Sequence, residues 1–398
     1  MNESSQASAS ARSKLKRTIE IVVAIGLMII SGFVGAMIAD FYGGVKEAIA
    51  TQPYIAVVMS QRSVDFPIPS EFLVGFQEAY ANGKAYIETR DGKKIDIRII
   101  EDLGSTDEAA RIAKQLVDDK NCILVIGNSN STLTDVTLDI FLRSTDRPAY
   151  LLPIATANDI LTKAKTAGHD AVLRMVPDNA SQAEVIQRLV REMTKNQRVA
   201  IYGDEENSFY SLGLSRDIAS RVRTSGGKVL IEEMLGPNNS IDSSLRWWAK
   251  PALPPEIIVY VGVAHHGLLL IDQLSEIKVS APIIFTDGCM VGSLLTNVSK
   301  IRNRAFVLSP VGSEKVTDQM PTYEPIGRDA YNLATRIISS CQTYSRAGIR
   351  ACMSPKNAIQ MANGFAGEYR FNADGNNDAM TYKVYEITGG HLQRLKGY

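Results

Sequence analysis

Residues 122–132 read Cys-Ile-Leu-Val-Ile-Gly-Asn-Ser-Asn-Ser-Thr (CILVIGNSNST), and this stretch decides the fold. A short apolar run closed by glycine and polar turn residues marks a strand buried on both faces. The polar turn then opens a segment with helical spacing to about Arg143. A doubly buried strand feeding a helix is half of a βαβ unit, so the pattern should repeat on both sides of it.

Upstream, residues 54–59 (YIAVVM) predict a buried strand, and 95–100 (IDIRII) a second, alternating one. Between them, residues 70–81 carry Phe72, Leu73, Phe76, Ala79 and Tyr80 at helical spacing. Ser105-Thr106-Asp107-Glu108 is a capping box, with Ala109, Ile112, Ala113, Leu116 and Val117 as the buried stripe behind it. Downstream, 149–152 is a short strand. The alternation then restarts. Ser181-Gln182-Ala183-Glu184 reads as a second capping box, and strands recur at 199–202, 229–234, 257–261 and 283–285. Two such series predict two α/β lobes with parallel sheets. The tail differs: 368–371 and 382–387, separated by Asn372-Ala373-Asp374-Gly375, read as a late strand pair.

Composition limits function. The 398 residues are 45% apolar and 22% charged, a folded globular balance. Lys+Arg and Asp+Glu are each 43, so no basic excess points to nucleic acid. Four cysteines are too few for a disulfide scaffold, and four histidines leave little room for a metal centre. No P-loop, G-x-S-x-G elbow or H-E-x-x-H occurs, and the turn after the first strand (Ser60-Gln61-Arg62-Ser63) has no glycine for a dinucleotide. Neither a cofactor nor a nucleophile–base pair is indicated, so an α/β hydrolase-like enzyme is the weakest reading. His265-His266 reads as a polar helix start facing the cleft or solvent, and Trp247-Trp248 as core packing on a lobe or a partner surface.

The N-terminus has its own pattern. Residues 1–18 form a polar tail ending in basic residues, and 21–39 carry no charge. As a helix, 19 residues span about 28 Å, close to a bilayer's hydrocarbon thickness. A transmembrane anchor over about 19–41, with a cytoplasmic N-terminus, is the expectation. A cleaved signal sequence is the competitor, with Ala48-Ile49-Ala50 shaped like a cleavage site. Either way, the rest of the chain faces the periplasm or the cell exterior.

Several segments together resemble the type I periplasmic solute-binding proteins, in the branched-chain amino-acid-binding (leucine-binding) branch. Val125-Ile126-Gly127 with the hydroxyl-rich loop to Thr132 resembles the family's strand, glycine and helix opening. Leu152-Pro153-Ile154-Ala155-Thr156 is similar to its proline–threonine turn, and Leu173-Arg174-Met175 to its first crossover. Tyr202-Gly203-Asp204 with Phe209-Tyr210, Phe285-Thr286-Asp287-Gly288 and 364–375 resemble later signatures. The resemblance covers about 54–395. It implies two Rossmann-like lobes joined by three crossovers: 54–174 plus 309–363, and 175–308 plus 364–395.

The resemblance also implies a site between the lobes. Ser131 and Thr156 would hold a ligand carboxylate, Asp287 a ligand ammonium, while Tyr210 covers the ligand and Ile154 lines the pocket. Gln61 is a further position that would reach the cleft. From the residues alone, Ser131 and Thr156 could equally be helix caps and Asp287 an Asp-Gly turn. Ser131 does open a helix, where free N–H groups and the dipole favour an anion. Two departures stand out. The stretch 204–210 is about two residues longer than the usual family spacing, so Phe209 could replace Tyr210. Ala264 stands where an aromatic is usual, which predicts a wider pocket. The implied function is capture of an amino acid or related carboxylate for an ABC permease in the membrane, or for a sensor partner. Cys341 and Cys352 could pair in an oxidising compartment, whereas Cys122 reads as inert core.

Overall fold

The computed structural model describes residues 52–61, 67–80, 83–236, 241, 244, 248, 253–277, 279–301, 303–311, 323–354 and 359–398. The expected membrane span at 21–39 and Ala48–Ala50 lie outside them. Among the described residues, no helix is long and apolar enough to cross a membrane.

Two sheets organise residues 53–398. The first has six strands: β1 (Tyr54–Val58), β2 (Tyr86–Glu88), β3 (Lys94–Ile100), β4 (Cys122–Gly127), β5 (Ala149–Leu152) and β6 (Val172–Arg174). Their order is β2-β3-β1-β4-β5-β6, parallel except for β2. The second contains β7 (Arg198–Asp204), β8 (Lys228–Leu235), β9 (Ile257–Val261), β10 (Ile283–Phe285), β11 (Ala305–Ser309), β12 (Lys383–Thr388) and β13 (His391–Arg394). Here the order is β13-β12-β11-β10-β9-β7-β8, with β12 and β13 antiparallel.

Helices cover both faces: α1 (Ile68–Glu78), α2 (Thr106–Asp118), α3 (Ser131–Leu142), α4 (Asn158–Thr166), α5 (Asn179–Met193), α6 (Ser208–Thr224), α7 (Ala264–Glu276), α8 (Gly292–Asn297), α9 (Glu324–Ser340) and α10 (Arg346–Met353). The predicted two-lobe α/β fold is therefore present. α9 follows β11 yet packs on α1, and α10 packs on β4 and β5. The chain thus passes between lobes after β6, after β11 and again before β12. Gly75 and Gly327 make the α1–α9 contact possible: a Cβ on Gly75 would lie 1.9 Å from the Glu324 carbonyl oxygen, and one on Gly327 2.0 Å from that of Phe72.

Both sheets reverse their strand order beside the first strand of the series, β1 in one lobe and β7 in the other. Crevices in open α/β sheets form at such points, beyond the strands' carboxyl ends. The ends of β4 and β5 in one lobe and of β7, β9 and β10 in the other bound the cleft.

Three sequence expectations are corrected. The late strand pair is β12 with β13, not 368–371 with 382–387. The hairpin turns at Gly389 and Gly390, both at positive φ (+58° and +81°), as a tight hairpin requires. Residues 372–377 instead dock on β6: the Arg174 N–H donates to the Gly375 carbonyl, and the Asn377 N–H to that of Arg174. The second capping box is also displaced. Asp178 is the N-cap of α5, accepting from the Ser181 N–H at 2.9 Å, so Ser181 lies inside the first turn. The first box holds, with Ser105 accepting from the Glu108 N–H. Lastly, His266 does not face cleft or solvent. It is buried, and its Nδ1 lies 3.0 Å from Asp204 Oδ1.

Cys341 and Cys352 are joined in a disulfide. Cys122 is fully buried, and burial pushes its thiol up to about 12, which leaves it inert at neutral pH. Trp247 lies outside the described residues. Trp248 packs against the core and donates its indole N–H to the Tyr202 hydroxyl at 3.2 Å.

Candidate functional site

The first wall of the cleft is built at the ends of β4 and β5. Asn130, not Ser131, caps α3: its side chain accepts from the Leu133 N–H at 2.9 Å. That frees the Ser131 hydroxyl, which accepts the N–H groups of Thr156 (3.1 Å) and Ala157 (3.2 Å). Thr156 is no cap either, because Ala157 holds the N-cap position of α4 without a side-chain bond. Ser131 and Thr156 thus converge with two backbone donors beside the start of α3, where the dipole favours negative charge.

The second wall is built around Asp287, just after β10. Its carboxylate is buried and accepts from Tyr210 OH (2.8 Å), Gln182 Nε2 (3.0 Å), the Gly288 N–H (3.0 Å) and Tyr382 OH (3.1 Å). Burial raises its pKa above the usual carboxylate range, against the pull of these donors. Among the described residues, no Lys, Arg or His makes an ion pair with it. Buried charges are normally paired, so this one is set up to receive a cation.

Ser131, Ile154, Thr156, Tyr210 and Asp287 all line one cavity, together with Ile68, Ser129, Asn130, Asn207, Val263, Gly288 and Tyr323. Its volume is about 30 Å³. That is room for a water or two, against the roughly 300 Å³ or more of a typical ligand pocket. A solute enters only when the walls separate. Neither Gln61 nor Ala264 lines the cavity, whereas Ile68 and Tyr323 line it from the first lobe. Phe209 packs on the first lobe's apolar cluster, leaving Tyr210 at the cleft.

A profile of the periplasmic binding protein family matches residues 72–285, more than half of the chain. The chain belongs to the periplasmic binding protein family. No curated protein matches it. Solved structures share its fold at low identity. A leucine-binding protein from Thermotoga maritima aligns with TM-score 0.73 and 17% identity over 86% of this chain and 97% of its own. An ABC transporter substrate-binding protein from Desulfitobacterium hafniense in complex with Leu gives 0.67 and 18%, over 86% and 100%. A solute-binding protein of an ABC transporter from R. palustris, in complex with benzoate, gives 0.68 and 14%, over 86% and 95%.

In this periplasmic binding protein, buried networks behind each wall hold the loops in place. On the first side, Asp102 is fully buried and accepts from Ser60 Oγ (2.7 Å) and Asn128 Nδ2 (3.2 Å), while Tyr150 OH donates to Asn128 Oδ1 (2.5 Å). The Ser60 N–H in turn donates to Ser129 Oγ at 2.6 Å. On the second side, Asp204 accepts from the Val263 N–H (3.1 Å) and from the N–H groups of Glu206 and Asn207. None of these partners is marked in the sequence, because they come from strands and loops far apart in the chain. An Asp closing a buried strand is the one local signal, and Asp204 at the end of β7 carries it; Asp102 lies two residues past the half-buried β3.

Proposed function

We propose that this protein is an extracytoplasmic, membrane-anchored solute-binding protein for an ABC transporter, and that its ligand is an amino acid or related carboxylate. The observation carrying this reading is a buried carboxylate with no cationic partner among the described residues, Asp287, opposite the Ser131 and Thr156 hydroxyls at the start of α3. A zwitterion complements both ends. Ligand bridging the two walls favours the closed arrangement over the open one by its differential contacts, which is hinge closure. The closed form is then what a membrane permease receives. The solved neighbours, among them substrate-binding proteins of ABC transporters, support the transport assignment.

Isothermal titration of the full-length protein with the twenty amino acids tests the proposal. One or more is expected to bind, and Asp287→Asn is expected to weaken it at least a hundredfold while the protein stays folded. Unchanged affinity in that variant removes the ammonium role; no binding at all removes the amino-acid reading.

A further inference from the structure

Arg174, the last residue of β6, is fully buried. A charge is seldom taken out of water without a counter-charge or a full set of partners. Among the described residues Arg174 has one partner: Nη2 donates to the Ala157 carbonyl over 2.5 Å. Nε and Nη1 have none among those residues. Asp178 bears on it electrostatically, but makes no ion pair with it and gives its Oδ1 to the N–H and hydroxyl of Ser181. Burial lowers the guanidinium only to about 10, so it stays charged at neutral pH.

The carbonyl that Arg174 holds belongs to the first wall. The neighbouring Thr156 carbonyl is held from the same crossover, by the Asn179 N–H at 2.9 Å. Both carbonyls of Thr156–Ala157 are therefore tied backward, onto residues 174–179. Both N–H groups point forward, at Ser131 Oγ. A peptide unit is a rigid plane joining one residue's carbonyl to the next residue's N–H, so the Asn179 bond to the Thr156 carbonyl orients the Ala157 N–H, and Arg174 holds the following plane, Ala157–Asn158.

We propose that Arg174 is a positioning residue for the anionic end of the ligand: it anchors the Thr156–Ala157 segment from behind and supplies a permanent positive charge that the neutral wall lacks. The inference rests on the carboxylate role of Ser131 and Thr156. Arg174 does not line the cavity. It acts through the Ala157 peptide and through space, in a medium where a charge is weakly screened.

The experiment compares full-length wild type, Arg174→Met and Arg174→Lys by isothermal titration with the twenty amino acids, each paired with its carboxamide. The carboxamide removes the anion and keeps the rest. Arg174→Met is expected to weaken the bound amino acid about tenfold and its carboxamide less than twofold. Arg174→Lys, which keeps the charge, is expected to retain the preference. Should the methionine variant fail to fold by circular dichroism, Arg174→Gln carries the same comparison, keeping a donor and dropping the charge. Equal loss for acid and amide, or no loss for either, overturns the inference and leaves the proposed function standing. Absence of binding by the wild type overturns both.

Discussion

Thr132, in the first turn of α3 on one lobe, donates its hydroxyl proton to Asn207 Oδ1 on the other lobe over 3.0 Å. Asn207 also lines the cavity, and its N–H is held by Asp204. The lobes are therefore joined at the cleft by a bond that opening must break, a few residues from the side chains proposed to meet the ligand.

Thr132→Val removes that donor and leaves Asn207 Oδ1 without it. A typical hydrogen bond contributes about 1 kcal/mol net, which is about a fivefold change in the closed population. Ligand affinity is expected to fall by that factor, because an open protein must first close. Small-angle scattering of the ligand-free variant should show a larger radius of gyration. If neither quantity moves, the bond contributes nothing to closure.

Asp287 makes affinity depend on pH. Its native pKa is raised by burial, so the folded protein takes up this proton at a higher pH than the unfolded chain. The stabilisation from the protonated form is full below the unfolded value of about 3.9 and is lost as pH rises through the native one. Holding a ligand ammonium needs the carboxylate, so binding runs the opposite way. Between pH 7 and pH 4, affinity should fall while stability rises relative to Asp287→Asn. Titrations and thermal melts across that range check both signs; affinity that holds or rises on acidification would exclude Asp287 as the cation's partner.

The sequence displays what depends on short-range pattern and hides what depends on distant pairing. The run 122–132 predicts β4 and the opening of α3 because an inner strand is apolar on every residue. β13 (His391–Arg394) is almost wholly exposed, an edge strand with no apolar alternation to betray it, and so the tail pair is misplaced by sequence reading onto 368–371. At the site, Ser131 and Thr156 are legible as residues opening helices. Adjacent candidates such as Asn130 and Ser131 are not separable as cap and ligand group, since both have the right chemistry. Gln182, Tyr323 and Tyr382 converge on the cleft from elements far apart in the chain, and no spacing announces them.

Glu71 supplies a second pH effect, independent of ligand. It lies in the first turn of α1, and burial together with Glu324 pushes it up to about 7, although it accepts the Tyr323 N–H at 3.2 Å. Stability from its protonated form is present below about 4.3 and lost as pH rises through about 7. Glu71→Gln keeps an acceptor for Tyr323 and never ionises. The variant should therefore melt higher than wild type at pH 8 and equally at pH 4. A gap that does not shrink on acidification counts against Glu71 as its source.

Arg346 carries the largest expected loss of stability. It opens α10, is buried, and donates to the carbonyls of Cys122 (2.9 Å), Val117 (2.9 Å), Asp146 (2.6 Å) and Asp119 (2.6 Å), and to that of Leu116. Leu116 and Val117 end α2, where unpaired carbonyls gather partial negative charge. One guanidinium thus ties α2, β4 and the loop before β5 to a helix 200 to 230 residues later in the chain. Arg346→Ala strands those carbonyls, at a cost of about 3–5 kcal/mol. Arg346→Lys should recover only part of it, since an ammonium has three donors on one atom where the guanidinium has five in a plane. Urea unfolding of the three proteins measures the order. A loss under about 1 kcal/mol in the alanine variant would mean that water replaces the guanidinium at these carbonyls, as it does at exposed helix ends.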